Sequence, residues 1–381
     1  MSALDFAVDP LDAARRSTFR LTTRSALLTR LLARRDTRLA MLATAQVAVG
    51  LALTVAAPVA LFAVAPVLLG VVHVGADVRY LVLRRRLPGA LLALSACAAT
   101  GLLGVRVLSA LQVLHGPVEP WELALGGAWI AGAFALGAGT AVSRRRIALG
   151  AAGLALALAA GLRYPGAAYV VFFHGHNLVA VVVWLVLFRR NRGWALWPIA
   201  AIGLGLVALL SGALLPFVHA IHADGAFGLD LAQLGRWLAP GLPSHAAASV
   251  AMAFVFLQGA HYSAWLGWVP QDALPGEGTF TFRMTVRSLV GDFGKGGLVV
   301  VTLLAVGLAV GACFGLHQAR GAYLSLSNFH GWMEGALLAF FAVRGDALSR
   351  RSDLDVRRSG AKECAVATRR SVRARAAPAT S

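Results

Sequence analysis

Ten apolar stretches, each near the length that crosses a bilayer, take up most of this 381-residue chain. A spanning helix needs roughly 17–25 mostly apolar residues. The stretches fall at about 39–57, 59–83, 88–112, 121–142, 147–162, 167–188, 194–215, 245–268, 297–316 and 322–343. The expected fold class is therefore all-α, a polytopic transmembrane helix bundle of about ten spans. Composition agrees: 58% of the residues are hydrophobic and 14% charged, whereas soluble domains carry about 25% charge. A soluble enzyme, a disordered chain and a secreted disulfide scaffold are excluded. Two cysteines, Cys97 and Cys313, lie in apolar stretches and Cys364 lies in the basic tail, so neither a disulfide framework nor a Cys-based zinc site is indicated.

The basic residues give an orientation. Cytoplasmic loops collect Lys and Arg. With the N-terminus inside, 30 of the 35 Lys and Arg fall on the inner side, three (Arg163, Arg236, Arg320) fall outside, and Arg79 and Arg106 lie within spans. Both termini are thus expected in the cytoplasm. Three regions follow: residues 1–38 as a basic amphipathic cytoplasmic segment, 39–343 as the membrane domain, and 344–381 as a basic disordered tail. In the first region Leu27, Leu28, Leu31 and Leu32 share a helical face ringed by arginines, the pattern of a helix lying on a membrane surface; it has no signal-peptide core. The net charge of +18 then reads as topology and attraction to anionic membrane lipid, not as a nucleic-acid footprint. The expected location is the cell membrane, crossed several times, and specifically a bacterial inner membrane. The inner loop 269–296 reads as re-entrant or surface-lying, and the outer loop 216–244, with Leu231, Leu234, Trp237 and Leu238 at helical spacing, as lying on the outer interface. No P-loop, GxGxxG after a strand, or internal repeat occurs.

Ionisable residues inside spans are costly and mark function by default. The second stretch carries His73, Asp77 and Arg79; the sixth His174, His176 and Asn177; the eighth Gln258, His261, Tyr262 and Trp265; the tenth Asn328, His330, Trp332 and Glu334. Imidazole is a common ligand for iron, copper and zinc, and helices of a bundle can bring ligands together in its core. His73, His174, His176, His261 and His330 are therefore candidate metal ligands. Asp77 and Glu334 each follow a histidine by four residues, so each pair shares a helix face. With Tyr262, these acids are the candidate catalytic side chains. His174 and His176 point about 200° apart on a helix and compete for one place, with His174 preferred. Counted from the outer ends of the stretches, His73 and His261 lie deeper than the others, which favours two clusters, His174 with His330 and His73 with His261. The structural alternative is that each histidine bonds locally between helices, with Asp77 paired to Arg79 or Arg106.

Other sites are weaker. Haem and copper are less favoured than Fe(II), since the histidine pairs that ligate stacked haems along two helices are missing. His219 and His222 have HxxH spacing but sit in an outer loop, and His115 lies near Pro117 and Glu119.

The segments Val72-His73-Val74-Gly75-Ala76-Asp77 and Phe172-Phe173-His174-Gly175-His176, with Ala260-His261 or Phe329-His330 as a last site, resemble the Brp/Blh family of bacterial carotenoid-cleaving membrane dioxygenases. The resemblance implies intramembrane histidines holding a non-haem iron that splits the central double bond of β-carotene with O2. This chain lacks the family's early Pro-His-Gly segment and spaces its paired histidines HxH instead of HxxxH.

The sequence thus points to a membrane metal-dependent oxygenase or oxidoreductase acting on a lipophilic small molecule, isoprenoid or carotenoid-like. A proton- or metal-coupled transporter or channel, or a non-catalytic membrane subunit, uses the same residues in the competing readings. The charge distribution makes one testable statement: a reporter active only in the periplasm, fused after Ser381, stays silent, and activity there rejects this orientation.

Overall fold

The structure, a computed structural model, describes residues 3–85, 87–139, 142–189, 191–221, 223–273 and 281–344. It is a helical bundle. Two helices, α1 (Ala3–Thr22) and α2 (Ala26–Ala33), precede α3 (Arg35–Ala56), α4 (Pro58–Asp77), α5 (Gly89–Ala110), α6 (Glu119–Gly137), α7 (Arg144–Arg163), α8 (Pro165–Val183) and α9 (Arg192–Leu210). Short α10 (Leu215–Ala220), a two-residue hairpin of β1 (Gly225–Ala226) and β2 (Leu229–Asp230), and α11 (Leu231–Leu238) form the longest outer connection. Then come α12 (Ser244–Ser263), α13 (Val269–Asp272), α14 (Phe282–Phe314), α15 (Leu316–Ser327) and α16 (Phe329–Arg344).

Helix α12 is the axis of the bundle, touching α3, α4, α8, α9 and α11. Fourteen of its 20 residues are buried, as expected of a helix apolar on every side. Its run Ala246-Ala247-Ala248-Ser249 is small enough for α11 to lie close: a Cβ on Gly235 of α11 would meet the Ala247 backbone carbon at 2.9 Å. Small residues at such crossings are how membrane helices pack closely. The opposite extreme is α14, a 33-residue apolar helix with no buried residue. Its exposed leucines and valines, like Val171, Leu156 and Leu204 on other helices, form an apolar exterior suited to lipid rather than water.

Seven helices among the described residues are long and apolar enough to cross a membrane: Arg35–Ala56, Pro58–Leu83, Gly89–Ala110, Arg144–Arg163, Pro165–Phe188, Gly193–Leu210 and Phe282–Phe314. The other three expected stretches are also helical but fall short, the first two with polar residues in the helix and the last divided into helices of 12 and 16 residues. Helix α6 carries Glu119 and Glu122, α12 carries Gln258 and His261, and the last stretch is broken at Asn328 into α15 and α16. The inner loop differs from its expectation. Residues 274–280 lie outside the described set, but from Phe282 the chain is helical, capped by the Thr281 hydroxyl accepting from Met284 N and kinked at Gly294 (φ 68°). The tail beyond Arg344 lies outside the described residues.

Three helices, α4, α8 and α12, run on into π-helical turns at Val78–Leu83, Trp184–Phe188 and Ala264–Trp268. A π turn shifts the helical phase by accommodating an extra residue, and here Trp184, Trp265 and Trp268 end fully buried. At this end Arg189 meets Asp272 Oδ1 at 3.2 Å and Asp36 Oδ1 at 3.4 Å. Trp184 Nε1 donates to Asp272 Oδ2 at 2.7 Å, and Trp268 Nε1 donates to Gln46 Oε1 at 2.8 Å. The side chains of Arg189 and Asp272 are both fully buried. Removing one partner of such a pair strands the other charge. Asp272→Ala is therefore expected to cost about 3–5 kcal/mol of unfolding free energy, and Asp272→Asn, whose amide oxygen still accepts from Trp184, distinctly less. Equal losses by thermal unfolding in detergent would assign the effect to packing instead of charge.

Candidate functional site

Four imidazoles from four helices meet in the middle of the bundle: His73 (α4), His176 (α8), His261 (α12) and His330 (α16). Ring centroids lie 4.5 Å apart for His176 and His261, 4.6 Å for His176 and His330, 4.9 Å for His73 and His330, and 5.2 Å for His73 and His261. His73 Nε2 is 3.2 Å from His330 Nε2. One ligand atom from each of His73, His261 and His330 falls within 4.8 Å of the others, and so does one from each of His176, His261 and Glu334. The two sets share His261, so the five side chains make one cluster.

The single level of this cluster replaces the two levels expected from counting. The helices begin earlier than the apolar stretches do. His330 lies 14 residues beyond the start of α15 at Leu316, close to the 15 between Pro58 and His73 and the 17 between Ser244 and His261. His176 lies 11 beyond Pro165. The order within α8 also departs from expectation. His174, the preferred ligand, faces away from the cluster and donates from Nε2 to the Leu238 carbonyl at 2.8 Å, its ring edge-on to Phe254 at 5.1 Å. His176 takes the inward place. The i, i+2 geometry allows only one of them in, and Gly331 makes the room: a Cβ there would stand 3.0 Å from His176 Nδ1.

The two acids act between helices rather than along their own. Glu334 is fully buried. Its Oε2 lies 3.1 Å from His176 Nδ1 and its Oε1 3.9 Å from His261 Nε2, while Trp265 Nε1 donates to Oε1 at 2.6 Å. Asp77, expected beside His73 or a basic partner, is fully buried with its carboxyl near that of Glu334, and neither of its oxygens has a hydrogen-bond partner. Arg79 pairs with Asp292 at 2.6 Å, and Arg106 with Glu122. Tyr262 stacks obliquely on His73 with centroids 4.6 Å apart. Its hydroxyl lies near that of Tyr323 and accepts from Gln258 Nε2 at 3.4 Å. Gly70 is needed for this, since a Cβ would come within 2.4 Å of the Tyr323 ring.

Donors are scarce at the centre. His176 Nδ1, both ring nitrogens of His261, His73 Nδ1, Glu334 Oε2 and both Asp77 oxygens are buried without a hydrogen-bond partner. The 3.1 Å approach of His176 Nδ1 to Glu334 has the distance of a hydrogen bond but not its direction. Buried polar atoms are almost always paired, and leaving one unpaired costs several kcal/mol in an apolar medium. His330 shows how a ligand nitrogen is freed: Nδ1–H donates to the Ser327 carbonyl, which leaves the lone pair on Nε2 aimed at the cluster, the tautomer that a metal-bound imidazole needs. The 3.2 Å between two Nε2 atoms is close to the ligand–ligand edge that bonds of about 2.0–2.1 Å produce around a tetrahedral ion.

Two features were not assigned to the site from sequence. Glu122 of α6 is fully buried, is held by Arg106 of α5, and accepts from Asn328 Nδ2 at 2.7 Å at the break between α15 and α16. Arg106 also donates to the Tyr169 hydroxyl at 2.9 Å. This knot anchors the segment from which His330 emerges, and the signal for it was an acid and an arginine in neighbouring spans. The second is the packing of Trp332 on Phe172, centroids 3.9 Å apart. Among the remaining candidates, His219 meets Asp224 at 3.2 Å with both side chains exposed, His115 lies in the α5–α6 loop, and His222 lies outside the described residues.

No family model, curated protein or solved structure matches the chain. Its functional reading therefore rests on its own residues. The packing makes a prediction. A Cβ on Gly126 would fall 2.1 Å from the Trp332 ring, and that ring is pinned by Phe172. Gly126→Ala is expected to destabilise by about 1–3 kcal/mol through overpacking, although Gly→Ala in an open helix gains up to about 1 kcal/mol. A stabilised variant in detergent unfolding would mean that Trp332 does not occupy that groove.

Proposed function

We infer that the chain is an integral membrane metalloprotein in which His73, His176, His261 and His330, with Glu334, hold one transition-metal ion. The reading goes on to a non-haem Fe(II) oxygenase or oxidoreductase with a lipophilic, isoprenoid or carotenoid-like substrate, in a bacterial inner membrane. Ten crossings, with α6, α12 and the α15–α16 pair added to the seven, keep both termini on the cytoplasmic face. The observation that carries the metal is the pair of overlapping buried sets, His73 with His261 and His330 and His176 with His261 and Glu334, whose ligand atoms lie within 4.8 Å inside each set and several of which have no hydrogen-bond partner. Imidazole with one carboxylate suits iron, copper or zinc rather than magnesium or calcium.

A bound iron would supply activation of O2 or of the substrate at an open coordination position. The chain's residues do the rest. His330 is held in one tautomer by Ser327. Glu334 is oriented by the Trp265 indole, and Asp77 stands against Glu334 where it can hold a proton between the two carboxyls. Tyr262 lies over His73 and walls one side, while Phe172 and Trp332 pack behind His176 and keep water out. The same two carboxyls also support a second reading, a cation or proton relay, since intramembrane acids mark such paths.

Elemental analysis of the purified chain tests the first reading. About one iron, copper or zinc per chain is expected, lost at least tenfold in His73→Ala and His261→Ala and retained in His174→Ala. Trp265→Phe, which removes the donor to Glu334, should weaken the metal by roughly 10–100-fold, as outer-shell changes do. Equal metal content in the His174 and His261 variants, or no metal, would overturn the site. Metal-dependent flux into proteoliposomes without substrate turnover would move the relay ahead.

A further inference from the structure

A large cavity does not belong to the histidine cluster. It is a groove of about 1660 Å³ between the N-terminal helices α1 and α2 on one side and α4, the π turn after α12, and α14 on the other. That is larger than the roughly 300–1,000 Å³ of ordinary small-molecule pockets. Its two ends differ in chemistry. Arg15, Arg16, Arg20, Arg38 and Arg79 line it, and among the described residues no Asp or Glu does. The remaining wall is mainly apolar and includes Val72, Ala76, Leu289, Leu298, Val301 and Val306.

The acids nearest in sequence are already engaged. Asp12 accepts from Phe282 N at 2.8 Å, Asp9 pairs with Arg283 at 2.8 Å, and Asp292 is shared by Arg79 and Arg84 at 2.6 and 2.9 Å. Arg79 and Arg38 have protein partners too, Arg38 donating to the Leu32 carbonyl at 2.8 Å, and Arg15 is engaged as well, so the positive field at the mouth rests chiefly on Arg16 and Arg20 of α1. Arg16 and Arg20 are exposed there, one helical turn apart. An apolar slot with a cationic mouth fits a molecule with a long hydrocarbon tail and an anionic head. A second polypeptide helix does not explain the one-sided charge.

We propose that this groove binds an anionic phospholipid, its phosphate at the α1 arginines and its acyl chains between α4 and α14. Basic side chains beside a bilayer attract acidic headgroups by about 1 kcal/mol each. The lipid would also close the gap that leaves α14 without a buried residue. The tail lies against Trp265, which lines the groove and whose indole holds Glu334 at 2.6 Å. The site therefore shares a wall with the cluster but does not depend on any metal there.

The test uses the full-length chain, delipidated in detergent and titrated with dioleoyl phosphatidylglycerol or dioleoyl phosphatidylcholine, with bound lipid read by native mass spectrometry. Phosphatidylglycerol should be retained in preference to phosphatidylcholine, and the double substitution Arg16→Gln, Arg20→Gln should weaken it about tenfold or more. Val301→Trp should fill the groove and expel the lipid, whereas Leu303→Trp, on the outward face of α14 (66% exposed), should not. Monodispersity and metal content of each variant separate lost binding from lost fold. Equal retention of the two lipids, an unchanged arginine variant, equal behaviour of the two tryptophan variants, or a second copy of the chain in place of lipid would each overturn the proposal.

Discussion

A hydrocarbon core offers no water to a buried imidazole, carboxylate or guanidinium, so each must find its partner within the protein. That constraint organises the bundle. Three polar knots lie along it. In one, Arg106 faces Glu122, Tyr169 and Asn328; in another, Arg189 faces Asp272, Asp36 and, through Asp272, Trp184. Both set an arginine beside carboxylates, so charge is matched within each, although the Nε of Arg106 and of Arg189 has no hydrogen-bond partner. The central knot has four imidazoles and two carboxyl groups, and the donor from outside it to Glu334 is the Trp265 indole. Lone pairs outnumber hydrogens there. A shared proton between Asp77 and Glu334 relieves one contact but leaves the His176 and His261 nitrogens aimed at nothing. A cation takes up one nitrogen of each imidazole and the Glu334 carboxylate together, which is why the imbalance, more than the histidine count, carries the metal reading.

Bringing the ligands to one point is a matter of where helices start and which side chains are missing. The break at Asn328 lets α16 begin one residue before His330, with Glu122 holding the break in place. Gly331 leaves space for the His176 ring, Gly70 for Tyr323, and Gly126 for Trp332, each at a distance where a methyl group would collide or crowd. Three glycines on three helices thus define three faces of the site. None of them sits in the left-handed region, so close approach, not backbone freedom, is what glycine supplies here.

Much of this was legible in the sequence, and the limits were physical. Apolar length and the distribution of arginines read directly as a helical membrane bundle. The polar residues inside the stretches read as a site because each carries a cost in lipid. The long helix α14 was partly read as loop, because Arg283, Arg287 and Lys295 look like a surface segment while its helix runs from Phe282 through a kink at Gly294. Depth was misjudged because apolar runs mark where lipid begins, whereas helices extend beyond them. The choice of His174 over His176 turned on rotation of α8, which is set by Gly331 and Phe254 on other helices and leaves no trace in local spacing. Pairing between distant acids, Asp77 with Glu334, is likewise invisible to an i, i+4 argument.

The surroundings of the cluster bear on which of the two functional readings is better supported. A relay that carries ions or protons through a membrane needs polar groups on both sides of its binding site. On one side such groups exist: Tyr262, Tyr323 and Ser327 lie near one another, and Arg320 stands beside the two tyrosines with its guanidinium stacked on Phe62 at 3.9 Å. On the other side the cluster meets Trp265 one helical turn beyond His261, then Trp268 and Trp184, all three fully buried and with their indole nitrogens committed to Glu334, Gln46 and Asp272. Three packed indoles with no uncommitted hydrogen make a floor, not a path. A site with a polar approach from one side and an aromatic floor on the other suits the proposed reaction better than the proposed relay, and the apolar groove lined in part by Trp265 stands one side chain from the Glu334 carboxylate. The asymmetry favours chemistry at the cluster over conduction through it.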